Sequence, residues 1–220
     1  MISFPVLNEN FAANCAIVSR KNVTLRENDM ASDDLIQKLK TALGPQGVLT
    51  GKDAEEKAQG GWSKLGVPAA VLRPANTAEV SKALKLAHAA GESIVPWGGK
   101  TGLVEGGEAD GHIALSLDRM NKIEEIDATG GTMTVGAGCV LQAICEAADE
   151  KGLFFPLDLG SRGSATIGGN ISTNAGGNRV IRYGMTRDMV LGLEAVLADG
   201  TVMSSMNRLI KNNAGYDLKH

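Results

Sequence analysis

Two glycine-rich segments contain the residues of this sequence whose types and spacing are suited to chemistry. The first reads VPWGGKTGLVEGG over residues 95–107 and directly follows a predicted strand. Its glycines allow successive backbone N–H groups to form a concave site for an anion. Thr101 adds a hydroxyl donor and Lys100 a positive charge, so the segment suits a pyrophosphate. The alternative is a mobile surface loop that binds no ligand.

The second segment covers residues 156–177, where nearly every side chain is small or carries a hydroxyl group. A wall of small residues with many N–H and hydroxyl donors suits a large, flat ligand with polar edges. Adenine, ribose and a flavin ring fit that description. The alternative is a packed glycine-rich turn region.

Two familiar nucleotide-binding motifs do not fit the sequence. The GKT at residues 99–101 matches the end of a Walker A motif, but that motif requires a glycine where Ile94 stands. The GAG at residues 136–138 begins a dinucleotide fingerprint, but Leu141 stands where its third glycine belongs. The sequence therefore predicts neither a P-loop nor a Rossmann dinucleotide site.

The composition is that of a globular protein and excludes several functional classes. Hydrophobic residues make up 43% of the 220 residues and charged residues 21%, which excludes wholesale disorder. A formal net charge of −3 does not indicate a nucleic-acid-binding surface. No apolar run approaches the ~18 residues of a membrane span. Glycine is over-represented, with 28 residues, which favours close approach of the backbone to a ligand.

The number and spacing of the cysteines give information about the cellular compartment. Cys15, Cys139 and Cys145 are too few and too widely spaced to form a disulfide framework. They indicate a reducing compartment, and the N-terminus lacks the pattern of a secretory signal. We therefore predict a cytoplasmic location.

The elements that must position the two segments begin with a parallel unit. The sequence predicts a helix near 33–43, which starts at Ser32 and stops at Gly44-Pro45, and then a loop over 44–66. Strands are predicted at 69–74, 93–96 and 112–117, with a helix from Asn76 to Gly91 between the first two. This order predicts a βαβ unit with parallel strands.

The pattern changes after about residue 120. Segments 122–127 and 132–135 alternate as an antiparallel pair, residues 140–151 predict a helix, and residues 190–203 predict a hairpin. We therefore divide the chain into an N-terminal lead-in at 1–66 and a domain at 67–220. This domain has one parallel and one mixed part.

The sequence resembles the FAD-binding domain of the vanillyl-alcohol oxidase / p-cresol methylhydroxylase (PCMH-type) superfamily. It is most similar to the D-2-hydroxy-acid dehydrogenase branch, which includes D-lactate dehydrogenase, the glycolate oxidase FAD subunit and D-2-hydroxyglutarate dehydrogenase. The matching segments are 73–80, 98–107, 160–177, 181–184 and 190–200. The resemblance extends over about residues 67–220.

This resemblance implies an α+β fold and a site. The fold would have two α/β subdomains, a small parallel sheet with helices and a larger mixed or antiparallel sheet, with FAD between them. Gly98 to Gly102 would hold the pyrophosphate. The implied cofactor-binding residues are Pro96, Trp97, Gly98, Gly99, Lys100, Thr101, Gly102, Leu103, Pro156, Asp158, Leu159, Gly160, Ser161, Ser164, Ala165, Thr166, Gly168, Gly169, Asn170, Ser172, Thr173, Asn174 and Gly177.

Several side chains allow two interpretations. Some members of the superfamily attach the flavin to a histidine in the first segment, but this chain has none there, so we expect non-covalent FAD. Lys100 either neutralises phosphate or points to solvent. The Trp97 ring either touches the ligand or packs in the core. Arg162, Arg179 and Arg182 either reach a phosphate or carboxylate or are solvated.

The resemblance also implies an activity. The intact enzyme would oxidise a small D-2-hydroxy acid to the 2-oxo acid by hydride transfer to flavin N5, and a quinone, cytochrome or electron-transfer flavoprotein would accept the electrons. The substrate domain would follow residue 220, so we assign no catalytic or metal-binding residue and expect the chain to be inactive alone. One alternative is a stand-alone FAD- or nucleotide-binding module completed by a partner chain. Another is a structural protein with glycine-rich connectors, which would bind no chromophore.

Overall fold

A computed structural model describes residues 32–220 of the chain. Residues 1–31, which include Cys15 and nearly half of the predicted lead-in, lie outside the described part. The helices are α1 (Asp33–Leu43), α2 (Lys52–Ala58), α3 (Thr77–Ala90), α4 (Leu141–Asp149), α5 (Ile167–Ser172), α6 (Val180–Tyr183) and α7 (Thr186–Met189). The strands are β1 (Val48–Leu49), β2 (Ala70–Leu72), β3 (Ile94–Trp97), β4 (Ile113–Ser116), β5 (Ile123–Asp127), β6 (Thr132–Val135), β7 (Leu193–Val196) and β8 (Val202–Ser205).

The first part of the fold is a four-stranded sheet with the order β1-β2-β4-β3. Strands β2, β4 and β3 are parallel, and β1 joins the edge as an antiparallel strand. Helix α3 connects β2 to β3, and β4 lies between them, which confirms the predicted βαβ unit. The helix begins where the Asn76 side chain accepts a hydrogen bond from Glu79 N, at 2.9 Å, and ends at Gly91 with a φ of 69°.

Helix α1 packs against α3 and shares its core. Leu39, Leu72, Leu84 and Ile113 are fully buried in one cluster there. The expectation of a loop over 44–66 is wrong, because this stretch contains β1 and α2. These elements are short, and α2 begins at Gly51 without a side-chain cap, so the sequence carried no period or cap to reveal them. The division of the chain at residue 67 stays a prediction.

The second part of the fold is built on two antiparallel ladders, β5-β6 and β7-β8. Its core contains Val135, Leu141, Ile144 and Ile167, all fully buried. The predicted hairpins and the predicted helix at 140–151 are present, the helix as α4. The fold is therefore α+β with one mainly parallel and one antiparallel part, as the sequence predicted. The expected sizes of the sheets are wrong for residues 32–220, because the first sheet has four strands and the second part holds two separate two-stranded ladders.

Side chains of α3 join the two parts. Thr77 Oγ1 donates to the Glu194 carboxylate at 2.6 Å, and Ser81 Oγ donates to Gly200 O at 2.6 Å. Val196 of β7 is packed in the core of the parallel part. Within residues 32–220, the helices are all too short or too polar to cross a membrane.

Candidate functional site

The two glycine-rich segments lie directly against each other. A Cβ on Gly98 would lie 2.6 Å from Thr166 Oγ1, and a Cβ on Gly99 would lie 2.0 Å from Ser164 O. Both distances are shorter than real side-chain contacts, so only glycine permits this approach. The structure thus brings residues 98–99 and 164–169 into one site, which places the two predicted halves of the site together.

The first segment leaves its N–H groups available. Within the described part of the chain, the amides of residues 98–103 donate to no protein acceptor. Lys100 has a φ of 56°, which is uncommon for a residue with a side chain. Successive amides that include a left-handed residue form the concave arrangement that binds anions. This backbone can therefore hold a pyrophosphate.

The Lys100 side chain is bound to the protein instead of pointing to solvent, and its role in neutralising a phosphate stays a prediction. Its Nζ donates to Lys57 O at 2.8 Å and to Gln59 O at 2.6 Å, at the end of α2. Burial and the nearby charge of Lys57 lower the pKa of Lys100. The side chain is therefore anchored to the protein, because the last carbonyls of a helix lack partners within the helix.

The second segment is more ordered than the expected loop, since it contains α5. Ile167 N donates to Cys139 O and Gly168 N to Ala137 O, both at 2.9 Å. A Cβ on Gly168 would lie 2.8 Å from Ala137 Cβ. Glycine at 168 thus permits α5 to pack closely on the chain before α4. The small residues of this segment therefore allow close packing within the protein, in addition to any contact with a ligand.

Two buried polar atoms at the junction have no partner. Thr166 Oγ1 and Asn170 Oδ1 are buried without a hydrogen bond in the described structure. Thr166 is 9% exposed and Asn170 5%. A buried polar atom without a partner destabilises a protein by about 1–3 kcal/mol, so such atoms commonly mark a place where a ligand completes the hydrogen bonding.

Several predicted site residues have side chains that contact other protein groups. The Trp97 ring is buried, and its Nε1 donates to Gly107 O at 2.7 Å, so only its backbone is available to a ligand. Asp158 pairs with Arg162 at 3.1 Å and with Arg179 at 3.2 Å. The Arg182 guanidinium lies 5.3 Å from the Tyr183 ring centre. These arginines are thus held by protein groups.

Further predicted residues take part in local hydrogen bonds. The hydroxyls of Ser172 and Thr173 donate to Gly168 O and Gly169 O at 2.8 and 3.0 Å, and Asn174 Oδ1 accepts from Arg187 N at 2.9 Å. A ligand could still approach their remaining acceptor positions. The side chain of Leu103 is 73% exposed. Ala165 is buried. The other predicted residues that are at least partly exposed, with no side-chain hydrogen bond in the described structure, are Pro96, Gly98, Gly99, Thr101, Gly102, Pro156, Leu159, Gly160, Ser161, Ser164, Gly169 and Gly177.

An ion-pair group beside the first segment was missed at the sequence level. Asp118 accepts from Lys57 Nζ at 2.6 Å and pairs with Arg73 at 3.1 Å. Burial alone would raise the pKa of Asp118, but the hydrogen bonds from Lys57 and Arg73 outweigh it and lower the pKa. These residues are far apart in the sequence, and no motif signals them.

Both cysteines in the described part are free thiols. Burial raises the pKa of the Cys139 thiol to about 11, which makes it an inert core residue at neutral pH. Cys15 lies outside the described residues.

Comparison with known families identifies the class. The sequence model described as "FAD binding domain" matches residues 68–205. The chain therefore belongs to the FAD binding domain family, and its cofactor is FAD.

Similarity to named proteins is more specific. The probable mitochondrial D-2-hydroxyglutarate dehydrogenase of Oryza sativa subsp. indica is 43% identical over 100% of this chain and 39% of its own length. The D-2-hydroxyglutarate dehydrogenase of Xanthomonas citri pv. viticola is 47% identical over 70% of this chain and 33% of its own length. The chain thus spans about two fifths, or less, of the length of these curated relatives.

Solved structures show the same fold. An alkyldihydroxyacetonephosphate synthase matches 87% of this chain and 43% of its own with a TM-score of 0.71 and 21% identity. Substrate-bound p-cresol methylhydroxylase matches 82% of this chain and 36% of its own with a TM-score of 0.65 and 21% identity. At these identities the likeness shows the fold alone, and this fold is the PCMH type that the sequence predicted.

The residues at the junction fit FAD. The free amides of the first segment suit its pyrophosphate, and the unpartnered Thr166 Oγ1 and Asn170 Oδ1 suit a polar ring edge or a sugar hydroxyl. Lys57, Arg73 and Lys100 outnumber Asp118 nearby, which favours an anion.

Proposed function

We propose that this chain is the flavin-binding part of an FAD-dependent dehydrogenase that oxidises D-2-hydroxyglutarate to its 2-oxo acid. The names of the relatives support the substrate, and their greater length leaves room for a substrate domain. The observation that carries the proposal is the contact of Gly98 and Gly99 with residues 164–166, which joins an amide cradle to unpartnered buried oxygens.

The proposed division of roles follows the geometry. The amides of residues 98–102 bind the pyrophosphate, because they have no protein acceptor. Thr166 and Asn170 hydrogen-bond the flavin or the ribitol from the second segment. When bound, FAD supplies an acceptor for the hydride from the substrate's α-carbon. The remaining residues of both segments form a wall of small groups that the flat ring can approach closely.

We propose that the cofactor is held without a covalent bond. The first segment contains no histidine, and the ammonium group of its lysine, Lys100, bonds to Lys57 O and Gln59 O. Binding would then depend on backbone donors and hydroxyls, so the flavin should be released when the protein is denatured.

The cytoplasmic location and the identity of the electron acceptor stay predictions. The names of several plant and animal relatives give mitochondria instead, whereas bacterial relatives carry no location in their names.

The substrate proposal is tested with a chain extended to the length of the relatives and loaded with FAD. Anaerobic addition of D-2-hydroxyglutarate should bleach the visible flavin absorbance, and the L-enantiomer should not. Bleaching by D-lactate or glycolate, with none by D-2-hydroxyglutarate, would contradict the proposed substrate. The 220-residue chain serves as the comparison, and we expect little or no bleaching from it.

A further inference from the structure

A short stretch before β2 lies along the first glycine-rich segment. We name residues 57–63 the strap. Lys57 O and Gln59 O accept from Lys100 Nζ at 2.8 and 2.6 Å, and Ser63 Oγ donates to Gly102 O at 2.5 Å. Trp62 N also donates to Lys100 O at 3.4 Å. The strap therefore contacts both the side chain of Lys100 and the carbonyl groups of the segment.

These contacts set the direction of the peptide groups. In a trans peptide the C=O of one residue and the N–H of the next point in opposite directions. The strap binds the carbonyls of Lys100 and Gly102, so the amides of Thr101 and Leu103 point away from it. Those amides have no protein acceptor within the described residues. The strap thus binds carbonyl groups of this backbone and leaves the N–H groups of Thr101 and Leu103 for a ligand.

The same contacts stabilise an unfavourable backbone conformation. Lys100 has a φ of 56°, which is unfavourable for a residue with a Cβ when nothing compensates. Its ammonium group bonds to two strap carbonyls that would otherwise lack partners. Lys57 of the strap is in turn held by Asp118 at 2.6 Å. The left-handed residue is therefore anchored through the strap to Asp118, which follows β4 and also pairs with Arg73 directly after β2.

We propose that the strap is a positioning element that orients the amides of Thr101 and Leu103, with Ser63 of the strap and Lys100 of the first segment as the positioning residues. Neither side chain needs to touch the ligand. The strap raises the affinity for the pyrophosphate part of FAD because the amides are already directed before the ligand arrives. This inference rests on the proposed function, since it assumes that the pyrophosphate binds at these amides.

The test compares FAD with a flavin that lacks both the pyrophosphate and the adenosine. Fluorescence titrations measure the affinity of the 220-residue chain and of Lys100→Met and Ser63→Ala for FAD and for riboflavin, which has no phosphate. We expect each substitution to weaken FAD binding about fivefold to tenfold and riboflavin binding less than twofold. Lys100→Arg should restore part of the FAD affinity. Lys64→Met, at an exposed position beside the strap, is the matched control and should change neither.

A second measurement needs no flavin. Amide NMR shifts and hydrogen exchange of Thr101 and Leu103 should change in Lys100→Met and Ser63→Ala but not in Lys64→Met. Equal losses for FAD and riboflavin would show a general structural role and overturn the inference, as would unchanged FAD affinity. If the unmodified chain binds no FAD, even when it is extended to the length of its relatives, the proposed function fails. Unchanged amide signals in the two variants would separately overturn the orienting role of the strap.

Discussion

The backbone of Gly99 lies directly against the carbonyl oxygen of Ser164, where a Cβ on Gly99 would come within 2.0 Å of that oxygen. Ala165 Cα would be 2.8 Å from the same Cβ. Two segments that are distant in the sequence thereby form one surface. The close approach also brings the free amides of the first segment next to Thr166 and Asn170 of the second.

Gly99→Ala should separate the two segments. The added methyl group has no space, so we expect a loss of about 1–3 kcal/mol in the free energy of unfolding and a clear loss of FAD affinity. Urea unfolding and fluorescence titration measure the two effects. Gly163→Ala is the matched control, because a Cβ there meets nothing within 4 Å. If Gly99→Ala lowered the free energy of unfolding and the FAD affinity no more than Gly163→Ala, the close packing of Gly99 on Ser164 would be contradicted.

Thr166→Val should affect stability and affinity in opposite directions. The free chain loses a buried hydroxyl without a partner, so its free energy of unfolding should stay equal or rise by up to about 1 kcal/mol. FAD affinity should fall about tenfold, because the hydrogen-bonding group for the ligand is gone. Thermal unfolding and flavin titration report the two quantities.

The control for Thr166→Val is Thr41→Val on the exposed side of α1. Its hydroxyl bonds to Gln37 O, far from the glycine-rich segments in the fold. This change should leave FAD affinity as it was. A Thr166→Val chain that binds FAD with full affinity would show that this hydroxyl does not contact the cofactor.

The structural features that were predictable from the sequence depend on local chemistry. Ser32, Asn76 and Gly91 mark helix ends because caps and left-handed glycines act within a few residues. The glycines at 98–99 and 168–169 lie in local sequence patterns that predicted two binding segments. Local patterns were sufficient for most of the element order and for the candidate site as a pair of segments.

The parts that were missed depend on tertiary contacts. Lys100 bonds to carbonyls in residues 57–59, and Asp118 pairs with Lys57 and Arg73, which are distant in the sequence. The GAG at 136–138 did not fit a nucleotide motif, and a Cβ on Gly138 would lie 1.9 Å from Leu117 O, so its glycine serves chain packing. No local period or motif encodes such approaches.

Asp118 should make stability depend on pH in the acid range. Its pKa in the folded chain is lowered below the ordinary value of 3.8, with Lys57 and Arg73 outweighing the effect of burial. The folded state therefore prefers the charged form, and the stabilisation is complete above the unfolded-state pKa and is lost as the pH falls through the folded-state pKa.

Asp118→Asn measures this contribution. At pH 7 the variant should unfold with a free energy lower by roughly 1–2 kcal/mol, because Lys57 and Arg73 lose their partner. Urea unfolding at a series of pH values should show the difference shrinking below about pH 4. Asp34→Asn, at an exposed i,i+4 pair with Lys38, provides the comparison. A difference that stays constant down to pH 2 would contradict the assignment.

Removing residues 32–66 should unfold the parallel part. A chain over 67–220 lacks α1 and the edge strand β1, which leaves Leu72, Val80 and Leu84 without part of their packing. We expect it to unfold at a lower temperature than a chain over 32–220, or to aggregate. Circular dichroism with heating compares the two. Equal melting temperatures would support a domain that begins at residue 67.

The most direct test of the central claim is the visible absorbance spectrum of the purified chain after addition of excess FAD and desalting, followed by acid precipitation. We predict a retained flavin spectrum, with the yellow colour moving into the supernatant when the protein precipitates. Colour that stays in the pellet would contradict non-covalent binding. A folded but colourless chain, which also stays colourless when extended to the length of its relatives, would contradict the assignment of the two glycine-rich segments as an FAD site.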